Sequence, residues 1–324
     1  MSVLPLRRVE FRQTATQLGD WREVLVSLLP AIALIAMLVW AEFLASAALS
    51  YQGLNLLLSS AIPLTFAAVS QMFVIVLGDI DLGTGFLVGL VNVVAARWLT
   101  NDPLLAIVIF IGIIAAYAAQ GALIHLRRIP SIIVTLGSSF IWSGLGLLVL
   151  AVPGGTAPHW LTDFFAWTPP IFPLPIWLAI VLAAVVYVIT HLTPYGTVIR
   201  GAGSNSAAVV GSGWSMLKIK MSCYALAAFF GILSGLAVTG ITASGDSTAS
   251  ANYTLLAIAA VILGGAKFSG GRSVPIGAVV GALALGIVGP VLGLANVSSN
   301  YQTGAQGLIL LIVLAGRVLT RRAH

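Results

Sequence analysis

Charged side chains are scarce in this sequence. Asp, Glu, Lys and Arg together account for 7% of its 324 residues, whereas a soluble domain carries about 25%. Hydrophobic residues account for 59%, and the mean hydropathy is +1.07. So few charges cannot cover a water-exposed surface of normal size. A water-soluble fold is therefore excluded, and the sequence predicts an integral membrane protein.

Groups that carry out covalent chemistry are scarce as well. The single cysteine, Cys223, excludes an intramolecular disulfide framework. No Gly-x-x-x-x-Gly-Lys-Ser/Thr motif is present, so the chain is not itself an ATPase. The four histidines are scattered, and no Ser–His–Asp or Cys/His constellation stands out. The sequence thus predicts no catalytic residue, no metal site and no cofactor.

Long apolar runs dominate what is present. Runs such as Val24–Ala41 and Leu104–Leu123 approach the roughly 20 residues that a membrane-spanning helix needs. They lack the alternation of a β-barrel strand, so we predict an all-α integral membrane protein with about ten transmembrane helices, some of them broken. The ten predicted spans are Val24–Ala47, Leu54–Leu77, Gly83–Trp98, Leu104–His125, Ser131–Val152, Ile171–Leu192, Met221–Ala243, Thr254–Gly265, Val274–Leu292 and Thr303–Val318.

The distribution of basic residues predicts the orientation. The isoelectric point is near 9.8, but the basic residues recur in clusters between spans and form no stripe for nucleic acid. With ten spans all clusters fall on one side and only Arg97 on the other, which places both termini in the cytoplasm. The predicted organisation is a cytoplasmic segment 1–23, a transmembrane domain 24–318 with a cytoplasmic segment 200–220, and a cytoplasmic tail 319–324.

Two carboxylates lie between the second and third spans, in the stretch Gly78–Gly85. One interpretation is that Asp81 or Thr84 caps the third helix, while the glycines Gly78, Gly83 and Gly85 permit a sharp turn. Another is that Asp79 and Asp81 line a pathway or pair with another group, since carboxylates at membrane depth are expensive. A third is an Asp-x-Asp metal site, for which the sequence offers no further acidic or His cluster.

Two other stretches are rich in glycine. In Ile258–Gly281, Gly264 and Gly265 end a short apolar run, and Gly270 and Gly271 make a turn, which favours a half-helix beside a cavity. The polar segment Arg200–Lys220 is either an amphipathic interface helix or a short helix, about Ser206–Gly211, presented to a cytoplasmic partner. In the second case Asn205 is the expected cap.

Polar residues inside the predicted spans are expected to face the protein interior. They act either as hydrogen bonds between helices or as the lining of a substrate pathway. Because the set contains few ionisable groups, it fits neutral, hydroxyl-rich solutes such as sugars better than ions. The seven candidates are Gln71, Asn92, Gln120, Thr135, Ser138, Ser139 and Trp142.

Several of these stretches together resemble the permease subunits of bacterial ABC importers for ribose, galactose, xylose and related simple sugars. Asp79 stands where that family has a Gly, and Gly83 where it has a Ser. The family's Glu and Arg are missing from the segment 200–220. The stretches that carry the resemblance are Asn55-Leu56-Leu57, Gln71-Met72-Phe73-Val74-Ile75, Gly78–Gly85, Pro130–Gly137, the positions Gly203, Asn205, Ala208, Ser212 and Gly213, and Ile258–Gly265 with Ser269–Arg272.

The resemblance implies a transport subunit that moves a monosaccharide or small polyol by alternating access across the bacterial inner membrane. It also implies a second permease chain as a homodimer partner, ABC ATPases on the cytoplasmic side and a periplasmic substrate-binding protein. The segment 200–220 would then couple to the ATPase, through Gly203, Asn205, Ala208, Ser212, Gly213 and Lys218.

Three alternatives stay open at this point. One is a permease of the same superfamily for a nucleoside or other small solute. Another is a metal-dependent membrane-embedded transferase that uses Asp79 and Asp81. The last is a secondary carrier driven by an ion gradient.

Overall fold

The structure is a computed structural model that describes residues 21–298, 301, 304, 305, 307 and 308, with side chains described from residue 28 onward. The N-terminal residues 1–20, nearly all of the tenth predicted span and the predicted tail 319–324 lie outside the described residues.

The described part of the chain is helical, without a β-strand. A single antiparallel bridge joins Gly154 and Gly245. The helices are α1 (Trp21–Leu44), α2 (Tyr51–Ser59), α3 (Ile62–Ile75), α4 (Thr84–Trp98), α5 (Pro103–Arg127), α6 (Ser131–Val149), α7 (His159–Ala166), α8 (Leu174–Tyr187, continued by a π-helical turn Val188–Leu192), α9 (Pro194–Ser204), α10 (Ser206–Gly211), α11 (Met216–Thr242), α12 (Tyr253–Leu263), α13 (Pro275–Gly286) and α14 (Val288–Leu294).

Several of these helices are long and apolar enough to cross a membrane. Five segments of the described chain meet that requirement by themselves: α5, α6, α8 with its π-helical turn, α11, and α13 with α14. The pair α2 and α3, bent by 45°, makes a sixth candidate. Helices α4 and α12 and the stretch Leu28–Leu44 of α1 are apolar but shorter. The prediction of an all-α, multi-pass membrane protein is confirmed, whereas the number ten stays a prediction.

The second predicted span, Leu54–Leu77, contains Pro63 and is interrupted just before this residue. Helix α2 ends at Ser59 and α3 begins at Ile62, so Pro63 lies in the first turn of α3. A proline is tolerated there because the first N–H groups of a helix have no partner within the helix. The second predicted span is therefore two helices rather than one kinked helix.

Burial separates central helices from peripheral ones. All residues of α3 except Phe66 are buried, and α3 packs against α11, α12 and α13. By contrast, α6 exposes large apolar side chains, including Phe140 at 71% and Leu148 at 84%. An apolar surface of this kind is unfavourable in water but matches lipid. Helices α3, α4 and α11 therefore lie at the protein centre, and α5, α6 and α8 form much of the lipid-facing surface.

Helices α12 and α13 approach each other closely at small residues. A Cβ atom added to Gly264 would collide with the backbone of Gly277, and one added to Gly277 would collide with the Gly264 carbonyl. One turn further along, a Cβ on Gly281 would lie 2.5 Å from the carbonyl oxygen of Ala260. Such backbone contact supplies the van der Waals packing that holds membrane helices together.

We predict that Gly277→Ala lowers the melting temperature of the purified protein. The added methyl group has no room at the α12–α13 contact, and overpacking of this kind costs about 1–3 kcal/mol. Gly144→Ala on α6 is the matched control, since its Cβ would meet nothing within 4 Å. The measurement is thermal denaturation in detergent, and equal melting temperatures for the two variants would contradict the close contact.

Candidate functional site

The segment between α3 and α4 runs as non-helical chain through the protein interior. Four consecutive backbone N–H groups, from Ile80 to Gly83, all donate to side chains. The acceptors are Ser131 Oγ for Ile80 (3.1 Å), the Gln71 amide oxygen for Asp81 (3.1 Å), Thr135 Oγ1 for Leu82 (3.1 Å) and Asp81 Oδ1 for Gly83 (2.7 Å). The Gln71 amide is oriented so that both of its ends have partners. Side chains thus replace the helical hydrogen bonds that this segment lacks.

The carboxylate of Asp81 is the most heavily bonded group of this segment. Its side chain is fully buried. Besides the N–H of Gly83, it accepts from the hydroxyl of Thr84 at 2.9 Å and from the hydroxyl of Tyr117 on α5 at 3.1 Å. Asp81 therefore ties the non-helical segment to α4 and α5 at once.

The prediction that Asp81 or Thr84 caps α4 is wrong in the strict sense. The N-cap is Gly83, which makes no side-chain capping bond, and Thr84 is already the first helical residue. Asp81 binds the N–H of the N-cap residue itself. The free N–H of Gly85 is instead satisfied by Thr254 Oγ1 of α12, at 2.9 Å. The cap comes from a residue 169 positions away, which no local pattern can indicate.

A second non-helical segment, residues 244–252, runs along α4. The side-chain amide of Asn92 binds this segment. Its nitrogen donates to Thr239 Oγ1 at 2.9 Å and to the Ser244 carbonyl at 3.0 Å. Its oxygen accepts from the N–H of Asp246 at 2.6 Å. Ser250 donates to the Gly85 carbonyl at 3.0 Å. No span was predicted for these residues. In the structure Gly245, Ser247 and Ser250 are buried, and the segment brings the N-terminal ends of α4 and α12 together.

The seven predicted pathway residues divide into three groups. Gln71, Asn92 and Thr135 have their polar atoms engaged by the two non-helical segments, as described above. Ser138 and Ser139 donate to carbonyl oxygens of their own helix, at 2.9 and 2.6 Å.

Gln120 and Trp142 form the third group. Each is 7% exposed, yet Gln120 Nε2 and Trp142 Nε1 have no hydrogen-bond partner within the described residues. The Trp142 ring stacks on Tyr117 with centroids 5.7 Å apart, so it lies beside Asp81. Buried donors without partners are rare in folded proteins.

Asp79 has a partner that the sequence analysis missed. Its Oδ2 accepts from Lys220 Nζ in the first turns of α11 at 2.7 Å and from the hydroxyl of Tyr224 at 3.4 Å. Both members of the ion pair are largely buried, at 12% and 15% exposure. Among the interpretations open for Asp79, the structure shows pairing: Asp79 is one half of the one salt bridge found among the described residues.

The three glycine-containing stretches meet at the carbonyl of Val76, at the end of α3. The N–H of Gly271 donates to this carbonyl at 2.8 Å. A Cβ on Gly203 of α9 would collide with the same oxygen, and one on Gly270 would lie 2.7 Å from Gly78 N. Gly78, Gly270 and Gly271 also have positive φ, near 80°, which favours glycine.

The predicted short helix in the segment 200–220 is confirmed. It is α10, Ser206–Gly211, and Asn205 Oδ1 caps it by accepting from the N–H of Ala208 at 3.1 Å. Five of the predicted coupling residues, Asn205, Ala208, Ser212, Gly213 and Lys218, are exposed. The sixth, Gly203, is packed at the Val76 carbonyl, so it belongs to the contact beneath α10 rather than to its outer face.

Comparison with known proteins identifies the family. Residues 53–314 match the family described as branched-chain amino acid transport system / permease component. The chain belongs to this permease family. It is therefore a transport subunit rather than an enzyme, and the resemblance to sugar-importer permeases is confirmed by the relatives below.

The ribose import permease protein of Haemophilus influenzae is 32% identical over 262 residues, covering 78% of this chain and 81% of the relative. The ribose import permease protein of Bacillus subtilis is 31% identical over 267 residues, covering 81% and 83%. The L-arabinose ABC transporter permease protein of Azospirillum brasilense is 30% identical over 254 residues, covering 76% and 74%. No solved structure matches the permease.

We predict that either Lys220→Met or Asp79→Asn alone lowers the melting temperature more than the double substitution does. A single change leaves a largely buried polar or charged group without its partner, at a cost of about 1–3 kcal/mol, whereas the double change leaves no charge unpaired. Thermal denaturation of the four proteins forms a double-mutant cycle. Lys218→Met, which removes an exposed lysine two positions away, is the control; strictly additive effects would show that the pair does not interact.

Proposed function

We propose that this permease is the membrane subunit of an ATP-driven importer that carries a monosaccharide or similar small polyol by alternating access. The observation that carries the proposal is the family match over 53–314 together with relatives named for ribose and L-arabinose import. The interior agrees with a neutral solute, since its polar groups are mostly amides and hydroxyls. Asp79 and Asp81 are engaged by separate partners, Lys220 and the pair Thr84 and Tyr117, which weighs against a shared metal site in a transferase.

The proposed orientation places both termini in the cytoplasm of a ten-span protein in the bacterial inner membrane, with the transmembrane domain at 24–318. At one end of the bundle Arg128 and Lys220 line a cavity with Asp79, and Lys267 and Arg272 flank the turn at Gly270 and Gly271 that meets Val76. The opposite end carries Arg97 beside the Ala96 carbonyl, which accepts from the N–H of Thr156 at 2.9 Å. The end richer in Lys and Arg is the cytoplasmic one by the positive-inside rule.

The proposed partners follow from the family. Two copies of the permease would form the pathway, two ABC ATPases would dock on the cytoplasmic side, and a periplasmic protein would deliver the solute. No cofactor and no nucleic acid take part in this proposal.

We infer that α10 is the surface that receives the ATPase. The helix has no charged residue, in keeping with the missing Glu and Arg of the family pattern. It exposes Val210, and Trp214 is exposed three residues after its end. A displacement of α10 would move α9, which contacts the Val76 carbonyl through Gly203. Gly271 binds the same carbonyl, and the chain that follows Val76 leads to Asp81. The contact at Val76 thus connects the coupling segment to the non-helical segment that leads to Asp81 and to the turn at Gly270 and Gly271.

We propose that Gln120 and Trp142 are the members of the predicted pathway set that meet the solute. Their unpaired N–H groups suit the hydroxyl oxygens of a sugar. The other five, Gln71, Asn92, Thr135, Ser138 and Ser139, would shape the path by fixing the backbone. Because a ligand shifts a conformational equilibrium only by its differential affinity for the two states, weak binding in the path and selection by the periplasmic protein are expected.

The experiment is uptake of radiolabelled solutes into proteoliposomes that contain the permease with its ATPase and binding protein. We expect uptake of a monosaccharide that requires ATP and all three components. If a nucleoside is taken up and no sugar is, the proposed solute is wrong and the permease carries a nucleoside. Uptake driven by an ion gradient without ATP would overturn the proposal.

We predict that Trp214→Ala weakens assembly with the ATPase by about tenfold or more, since exposed aromatic residues commonly dominate binding energy at interfaces. Sugar uptake should fall accordingly, while hydrolysis by the free ATPase is unchanged. The matched control is Trp160→Ala, which removes a 60% exposed tryptophan from α7 at the opposite end. Affinity of the ATPase for permease in nanodiscs is the measurement, and an unaltered affinity for Trp214→Ala would remove α10 as the docking surface.

A further inference from the structure

A cavity of about 330 Å³ opens at the basic end of the bundle, outside the proposed pathway. It lies where α5 ends, α6 begins, and the first turns of α11 meet the chain after α3. Its polar lining comes from Asp79, His125, Arg128, Ser131 and Lys220. These residues come from three separate parts of the sequence, namely Asp79, the stretch 125–131 and Lys220, so the fold brings them together.

The net charge of the cavity lining is positive. Asp79 and Lys220 neutralise each other at 2.7 Å. Arg128 has no side-chain hydrogen bond or ion pair within the described residues, and its backbone is held in the left-handed region, φ 53°, as the C-cap of α5. His125 lies one turn before it. Because Asp79 and Lys220 are paired, the guanidinium of Arg128 and the imidazole of His125 are the side chains of the lining that can bind an anion.

The beginning of α6 adds hydrogen-bond donors. The N-cap, Pro130, supplies no side-chain bond to this helix. The N–H groups of Ile133 and Val134 donate to the Pro130 carbonyl, whereas those of Ser131 and Ile132 make no backbone bond in the part of the chain that the structure describes. Ser131 Oγ accepts from the N–H of Ile80 at 3.1 Å, so its own hydroxyl proton is available to donate. Free donors at the positive end of a helix dipole favour an anion.

The surface beside the cavity is apolar. Leu123 and Leu126 on α5 and Ile132 and Ile133 on α6 are exposed, with Leu126 at 64% and Ile133 at 62%. In a membrane protein such side chains contact acyl chains. The cavity therefore lies at the boundary where an apolar, lipid-facing surface gives way to basic side chains. A phospholipid matches both parts, whereas a soluble phosphate would use only the basic part.

We propose that this cavity binds the phosphate of an anionic phospholipid, with Arg128, His125, Ser131 and the first N–H groups of α6 as donors. The acyl chains lie along Leu126 and Ile133. The assignment to the cytoplasmic leaflet rests on the orientation proposed above. Basic pockets between membrane helices on that side are suited to anionic head groups.

The test is native mass spectrometry of the purified permease with phosphatidylglycerol and, separately, with phosphatidylcholine. We expect preferential retention of phosphatidylglycerol, weakened about fivefold by Arg128→Gln. Arg97→Gln, which removes one arginine from the opposite end, is the matched control and should keep the preference. His125→Gln is a second variant with a smaller expected loss, and circular dichroism checks that each variant is folded.

Three results would overturn the proposal. Equal retention of the two lipids in the unmodified permease is the first. Equal loss in Arg128→Gln and Arg97→Gln is the second, because it would reflect total charge rather than this cavity. The third is displacement of the lipid by excess inorganic phosphate, which would assign the cavity to a soluble anion. Because the assay needs neither ATPase nor solute, its failure leaves the transport proposal untouched, and a failure of sugar uptake leaves the lipid site untouched.

Discussion

Non-helical chain inside a membrane protein is tolerated only where its backbone polar groups find partners, because lipid offers none. This constraint governs the centre of the permease. The four N–H groups from Ile80 to Gly83 all end on side chains, with Asp81 supplying one acceptor and binding α5 through Tyr117. The polar residues within apolar spans thus satisfy the backbone groups of the interrupted segments, and this allows the helices to be broken inside the protein.

The interruptions have a mechanical consequence. Two chain segments, 79–83 and 244–252, interrupt otherwise helical paths, and the helices that follow them meet where Thr254 accepts from the N–H of Gly85. At the basic end, glycines from three stretches pack around the Val76 carbonyl. Rigid helices joined at such points move as bodies about a few positions, which is what a transporter that exposes its path alternately to each side requires.

The sequence predicted the features that depend on local pattern. Apolar runs gave the helices, and Asn205 followed by small residues gave α10 with its cap. Features that depend on distant contacts were not predicted. The ion pair of Asp79 joins it to Lys220, 141 positions away, and the hydroxyl of Thr254 caps the helix that begins at Thr84. Gln71 and Thr135 were recognised as buried polar residues, but which backbone groups they satisfy depends on the register of three packed elements. The sequence showed that Asp79 replaces the Gly of the family pattern, but it did not indicate that Lys220 is the partner of Asp79.

The most direct test of this account is amide hydrogen exchange in the intact permease, read for peptides that cover residues 80–85 and 245–247. The exposed segment 211–215 serves as the internal reference. If side chains of Asp81, Gln71, Thr135 and Asn92 hold the non-helical segments within the protein, their amides exchange far more slowly than the reference and close to those of α3. Exchange as fast as in the reference would contradict the account, because it would show both segments to be open to water.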